Sequence, residues 1–206
     1  MTWGEIELLS IQKMFLNTDS ITTDDLTSMK TNKKYAIYLN AMPATANEAI
    51  RIILTRGKPY IKVYQLSGSD ADPDTSNDEV YCFDLSDVLD DYKSLERVYK
   101  DVEDYKGYTI RFNRYLYLPK DLVDNKSLSI GYSSYPKKIT SATSDNYKID
   151  LPLDMLNLLP LYIASELYKD DDISLATVYR NEFEVELENL NRDADHEEFT
   201  SINGWL

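Results

Sequence analysis

His196 is the only histidine in the chain and Cys82 the only cysteine. Catalysis by an imidazole needs a hydroxyl or thiol held beside it. His196 instead sits among Asp193, Asp195, Glu197 and Glu198, in a stretch with no apolar stripe, which reads as solvated surface. Cys82, being alone, can make neither an internal disulfide nor a cysteine-based zinc site, and reads as a buried thiol compatible with a reducing compartment. Asp70, Asp72 and Asp74 imitate the D-x-D-x-D opening of a calcium loop, in which alternate carboxylates supply hard oxygen ligands. The sixth position, however, is Thr75, where the sharp turn takes glycine, and the twelfth is Tyr81, where a bidentate glutamate closes the coordination sphere. Gly57-Lys58 lacks the earlier glycine and the following Ser/Thr of a phosphate loop, and G-x-G-x-x-G, G-x-S-x-G and H-E-x-x-H do not occur. With 36 acids, carboxylate pairs arise by chance, and no apolar pocket singles one out for acid–base work. The expectation is a protein with no catalytic residue, no cofactor and no metal; a small hydrolase built on His196 is the weakest of the readings.

Binding chemistry is the next candidate. The 17 tyrosines are the oddity of the composition. Tyr115, Tyr117, Tyr132 and Tyr135 have the ring faces that stack on sugars or bases, although tyrosines alternating along a strand more often pack a sheet. Lys+Arg 22 against Asp+Glu 36 gives a net charge of -14 and a pI near 4.5, which opposes a grip on nucleic acid through its phosphates and leaves only passive contact with DNA. The acids concentrate late. Residues 182–198 hold eight of them, including Glu182, Glu184, Glu186 and Glu188, against Arg192 alone, for a local charge of -7. This run is followed by Phe199, Ile202, Trp205 and Leu206, apolar residues that must either pack back or insert into a partner.

The elements that position these residues follow from periodicity. Residues 151–190 read as an αα-hairpin, with Leu159, Ile163 and Leu167 on one stripe of its first helix and Leu175, Tyr179, Phe183, Leu187 and Leu190 along the second. Asp170, Asp171, Asp172 and Ser174 lie between them, where they cap the second helix. Toward the N-terminus, Leu8, Ile11 and Phe15 mark one face of a first helix, and Thr22 or Thr23 caps a second. Asn32 to Met42, with Tyr35, Tyr38, Leu39 and Met42 at helical spacing, form a third that Pro43 interrupts, and Thr45-Ala46-Asn47-Glu48 is a capping box opening a fourth that ends at Gly57. From Pro59 the period drops to two. Residues 60–66, 80–83, 108–112, 115–118 and 127–132 read as strands, with a tight turn at Asn113-Arg114 and a polar, mobile loop over 67–78. Residues 84–99 are mixed. The fold class is therefore α+β: a helical bundle of N-terminal helices (1–58) and C-terminal hairpin (147–191), an inserted antiparallel β-rich subdomain (59–146), and a C-terminal arm (192–206). No apolar run spans a membrane and no signal peptide is evident, so a soluble cytosolic chain is expected.

Three stretches resemble the head-to-tail connector (adaptor, head completion) proteins of tailed phages. They are residues 35–54 around Asn47-Glu48-Ala49, the segment SIGYSSYPKKIT at 129–140, and residues 158–172 followed by Ala176, Tyr179 and Phe183. The resemblance covers most of the chain, is strongest over 147–190, and with its large β-rich middle is closest to podophage-type adaptors. It implies a virion protein, made in the host cytoplasm, that forms a twelvefold ring at the head–tail interface. Its partners would be the portal protein on one side and tail, tail-tube or nozzle proteins on the other, with double-stranded DNA passing through and no membrane involved. It further implies that Phe199, Ile202, Trp205 and Leu206 form a portal-binding arm, and that Glu182, Glu184, Glu186 and Glu188 face the channel. A carbohydrate- or receptor-binding module using the tyrosine-rich sheet is the alternative.

Overall fold

The computed structural model describes residues 1–15, 22–73, 76, 78–125 and 127–200, the side chains at 23 and 192–200 excepted. In chain order it has α1 (Trp3–Met14), α2 (Leu26–Thr31), α3 (Lys33–Arg56), β1 (Ile61–Gln65), β2 (Val80–Asp84), α4 (Leu85–Val88), β3 (Tyr92–Lys100) and β4 (Glu103–Asp104). There follow β5 (Thr109–Arg111), β6 (Tyr115–Pro119), α5 (Lys120–Asp124), β7 (Leu128–Ser134), α6 (Leu153–Leu156), α7 (Leu159–Leu167) and α8 (Ile173–Thr200). The fold is α+β, with a helical unit (Met1–Lys58 with Pro136–Leu206) and an inserted antiparallel β unit (Pro59–Tyr135).

The helical unit is built around α7. Every residue from Leu159 to Ser165 is buried, rather than the single stripe that the spacing predicts, and the helix packs against α1, α3 and α8. An α-helix that is apolar all round belongs in a core. The hairpin to α8 forms as read from the sequence: Asp172 accepts from Leu175 N at 3.0 Å, and Asp171 accepts from the Tyr38 hydroxyl at 2.7 Å. On α8 the buried stripe is Ala176, Tyr179, Phe183, Leu187 and Leu190, so Ala176 takes the inward place expected of Leu175.

The expected break at Pro43 does not occur. α3 runs unbroken through it, and Thr45 to Glu48 lie mid-helix instead of forming a capping box. The apolar stripe keeps its helical period across the proline, since Leu39, Met42, Ala46, Ala49, Ile50 and Ile53 are all buried. Tertiary burial of that stripe outweighs the lost backbone hydrogen bond. Asn47, next to the proline, donates through Nδ2 to Pro43 O and Ile139 O, both at 2.7 Å, and accepts from Ile139 N at 3.0 Å.

These bonds correct the expected boundary of the insertion, which falls at Tyr135 and not at residue 146. Residues 136–148 are stitched to the helices: besides Asn47 and Ile139, Trp3 N donates to Tyr147 O and Gly4 N to Asp145 O, both at 2.8 Å. Carbonyls of the returning chain thus satisfy amides that the first turn of α1 would leave open. A Cβ on Gly4 would lie 3.1 Å from Asp145 O, so the close approach favours glycine here.

The face that α1 buries also differs from the pattern reading. Trp3, Ile6, Glu7, Ser10, Ile11 and Met14 are buried, whereas Leu8 and Phe15 are only half-buried. Phe15 meets Tyr35, Tyr38 and Tyr168 edge-on, with ring centroids 5.1, 5.3 and 5.4 Å away.

In the β unit, a sheet of order β1-β7-β3-β4 and one of order β2-β6-β5 contribute to one core that includes Phe83, Leu116 and Leu118 from the second and Val98, Ile130 and Tyr132 from the first. Strand alternation accounts for it, with Leu116 and Leu118 inward and Tyr115 and Tyr117 half-buried on the other face. The mixed stretch resolves into α4 followed by β3. The described part of the loop expected to be mobile is bonded to β2: Asp72 N donates to Cys82 O at 2.8 Å, and Cys82 N to Ser76 Oγ at 3.1 Å. The β5–β6 hairpin is present, but its turn centres on Phe112-Asn113, one residue earlier than expected.

Candidate functional site

The longest helix carries most of the residues singled out for function. By helical spacing, the core stripe of α8 leaves an outward face on which Val178 and Val185 stand seven residues apart, 53% and 55% exposed. Glu182, Glu186 and Glu188 are exposed on its flanks. Glu184, read as a fourth channel acid, is not free. It takes Arg56 at 2.7 Å and Arg180 at 3.1 Å, and Arg180 reaches on to Glu166 at 3.1 Å. Arg56, then its own partial burial and Arg180, leave the Glu184 carboxyl below the usual carboxylate range on balance. Glu184 therefore ties α3, α7 and α8 together, and the outward face alternates valine with acid instead of presenting an unbroken acidic wall. Past Leu190, the last buried side chain among the described residues of α8, Asn191 Nδ2 donates to Arg56 O at 2.8 Å, and the helix continues to Thr200.

The backbone at His196 and Phe199 lies in this helical extension, with both side chains outside what is described, and Ile202, Trp205 and Leu206 lie outside the described residues, as do Asp74 and Thr75. Asp70 is occupied locally, accepting from Ser67 N at 3.1 Å and from the Tyr64 hydroxyl at 3.2 Å. Among the described residues no group of three or more His, Cys, Asp or Glu is arranged to hold a metal. Cys82 is buried.

The four sheet tyrosines do not form one open platform. Tyr132 is buried and donates to Asp91 at 3.0 Å. Cations lie over the other rings: Arg114 over Tyr115 and Arg111 over Tyr117, both at 5.2 Å, and Lys93 over Tyr135 at 5.3 Å.

Two features escaped pattern reading. The first is a carboxylate in the core: Glu7 is 3% exposed, beside Lys30, which also pairs with Asp145 at 2.5 Å. Lys30 Nζ lies 3.1 Å from Glu7 Oε2 but out of hydrogen-bond alignment, and Oε2 has no hydrogen-bond partner. Burial pushes the Glu7 carboxyl up, and Lys30 offsets only part of that. A cavity of about 110 Å³ lies alongside, lined by residues that include Trp3, Asn40, Thr140 and Thr143. Its only sequence signal is a glutamate on the α1 face opposite Leu8 and Leu9.

The second is the β5–β6 turn. Phe112 and Asn113 have φ of 55° and 51°, the paired positive values of a type I′ turn, and Arg114 N donates to Arg111 O at 3.0 Å. A bulky residue at such φ is an outlier, and Phe112 is 90% exposed. Asn113 pins the turn to β3, accepting from the Tyr92 hydroxyl at 3.0 Å through its carbonyl and donating through Nδ2 to Lys93 O at 3.2 Å. Arg114 is held at the other side by a two-pronged pair with Asp84.

No protein-family model and no curated protein matches this chain.

Proposed function

We propose that this chain is a structural virion protein that assembles into a connector ring between portal and tail and passes the genome through an acidic channel. The observation that carries the reading is α8: 28 residues long, acid-bearing on the exposed side of its described part, and running as helix to Thr200, toward the apolar residues at 199–206. Exposed carboxylates at Glu182, Glu186 and Glu188 repel a phosphate backbone and keep it from adhering during passage, the inverse of the electrostatics by which basic proteins grip DNA. Glu184 contributes less free negative charge to that wall, since its carboxylate is paired with Arg56 and Arg180. The helical extension leads into Phe199, Ile202, Trp205 and Leu206, which supply the aromatic and aliphatic anchors of a portal-binding arm.

The placement of the β unit between α3 and the segment returning to α6 agrees with the podophage-type adaptors that the sequence resembles. The carbohydrate-binding alternative is less favoured by the four tyrosines singled out for it, since Tyr132 is buried and a cation of the same chain lies over one face of Tyr115, Tyr117 and Tyr135.

Electron microscopy of the protein mixed with portal tests the reading directly. Rings of portal symmetry capped by this chain are expected, and their absence, together with binding on a glycan array, refutes it. Removing residues 199–206 should abolish co-sedimentation with portal rings while leaving the circular dichroism unchanged. A truncated chain that still co-sediments refutes the role of the arm.

A further inference from the structure

An apolar hollow of about 400 Å³ opens on the surface of the helical unit, lined by Met1, Leu8, Leu9 and Leu153 with Glu5 at its edge. Here α1, whose buried face includes Glu7 and Ser10 beside Trp3, Ile6, Ile11 and Met14, turns Leu9 outward at 36% exposure, and Leu153 of α6 is 60% exposed. The opposite anomaly is on the β unit, where Phe112 projects into solvent at a φ that bulky residues avoid, on a turn locked from both sides by Asn113 and Arg114.

We propose that the hollow of one copy receives the Phe112 turn of a second copy of this chain, with Arg111 of the turn meeting Glu5 at the rim. This rests on the ring-forming reading and names one contact by which a ring closes.

Three observations favour a second copy as the occupant. The knob is a single aromatic side chain, and the hollow is of a size to take it, with four apolar residues for walls. The charges are complementary: the knob has an exposed guanidinium next to it, and the hollow has one carboxylate, Glu5, which accepts from Thr2 N at 2.7 Å. Knob and hollow are also different patches, so each copy offers one and accepts the other. That is the heterologous geometry that generates rings when the rotation closes and filaments when it does not. Pre-organisation of the turn fits the role, since a rigid anchor loses little freedom on docking. The rival occupant is the chain's own segment at 199–206, whose apolar residues would fill the same hollow.

The test places a photo-reactive benzoyl-phenylalanine at position 112 of the full-length chain, which keeps the aromatic knob, and at Val102 as an equally exposed control. Isotopically heavy and light copies are mixed, irradiated and mapped by mass spectrometry. Heavy–light cross-links from position 112 to peptides carrying Leu8, Leu9 or Leu153 are expected, several-fold above the Val102 control and lost when Leu9→Asp and Leu153→Asp are combined. Cross-links to other peptides, yields equal to the control, or none between copies overturn the contact. So does a cross-linker at position 205 that attaches to Leu153 of its own chain.

Failure of this contact is distinguishable from failure of the connector reading. If Phe112→Ala still forms portal-capping rings, the contact falls and the connector stands. If the cross-links form as described but no ring assembles on portal, the connector falls and the contact remains as self-association.

Discussion

Replacing Asn47 with alanine tests how the segment that returns at Pro136 is anchored to α3 within the helical unit. One carboxamide makes three hydrogen bonds, to Pro43 O, Ile139 O and Ile139 N, at 2.7, 2.7 and 3.0 Å. Each is worth about 0.5–1.5 kcal/mol net, so the set contributes about 1.5–4.5 kcal/mol. Ile139 is 1% exposed, which hinders water from replacing the lost partners and favours the upper half of that range. Alanine returns about 0.5 kcal/mol through its better helix propensity. The expected loss is therefore about 2.5–4 kcal/mol in urea unfolding, with an unchanged denaturant slope, accompanied by faster hydrogen exchange at the Ile139 amide. Asn47→Asp should be as damaging, because a carboxylate still accepts from Ile139 N but opposes the carbonyls of Pro43 and Ile139. A loss below about 0.5 kcal/mol, smaller than a single hydrogen bond, or undiminished Ile139 protection, refutes the clamp.

Glu7→Gln should leave stability near pH 7 equal or higher, whereas Lys30→Met should lower it by roughly 3 kcal/mol by stranding a buried charge; urea midpoints compare the two, and equal losses refute the asymmetry. The pH dependence has a definite sign. Burial raises the folded Glu7 carboxyl above the ordinary glutamate range, so its contribution is fully present below that range and is lost as pH rises through the folded value. Glu7→Gln should remove this decline from the stability–pH profile, and an unchanged profile contradicts it. Pro43→Ala restores a helix bond and removes a ring clash worth about 3 kcal/mol, against about 1.6 kcal/mol for two lost methylene groups, so a gain of about 1 kcal/mol is expected in thermal or urea unfolding. Net destabilisation would mean that α3 needs the proline. Self-association should strengthen with added salt, because copies of charge -14 repel one another and screening shortens that repulsion from about 10 Å at 0.1 M to about 3 Å at 1 M. Sedimentation velocity at the two ionic strengths reads it, and weakening with salt would mark the contacts as ion pairs.

Where one face of an element is apolar and its ends are marked, the fold was readable from the residues. The α7–α8 hairpin is the clearest case, since Asp172 caps and Tyr179, Phe183, Leu187 and Leu190 bury as their spacing requires. Local rules misled where tertiary contacts overrode them. Pro43 and the Thr45–Glu48 box carry the local chemistry of a helix boundary, yet the stripe from Leu39 to Ile53 is continuous and determines the outcome. The Phe112-Asn113 turn was placed one residue late because asparagine tolerates positive φ and phenylalanine does not, so the rule assigned the strain to the wrong neighbour. Of the acids proposed for a channel, Glu184 could not be set apart by sequence. Its partners Arg56 and Arg180 are 128 and four residues away, and only folding brings the first within reach.

Taken together, the departures from ordinary partition have one direction. α1 buries Glu7 and Ser10 and turns Leu9 outward, and α8 turns Glu184 inward to arginines while Val178 and Val185 face water. A helix free to rotate would exchange these faces, but Trp3, Ile6 and Met14 on α1, and Phe183 and Leu187 on α8, fix the rotation by being larger and fully buried. Each helix therefore keeps a second, smaller apolar face that the folded chain does not use. Both pack on α7, the one helix buried on every side through its central residues. The hub is buried from Leu159 to Ser165, so the ring contacts proposed above would fall to the helices around it. That division would suit the proposed subunit, which has to be stable alone and still close on its neighbours.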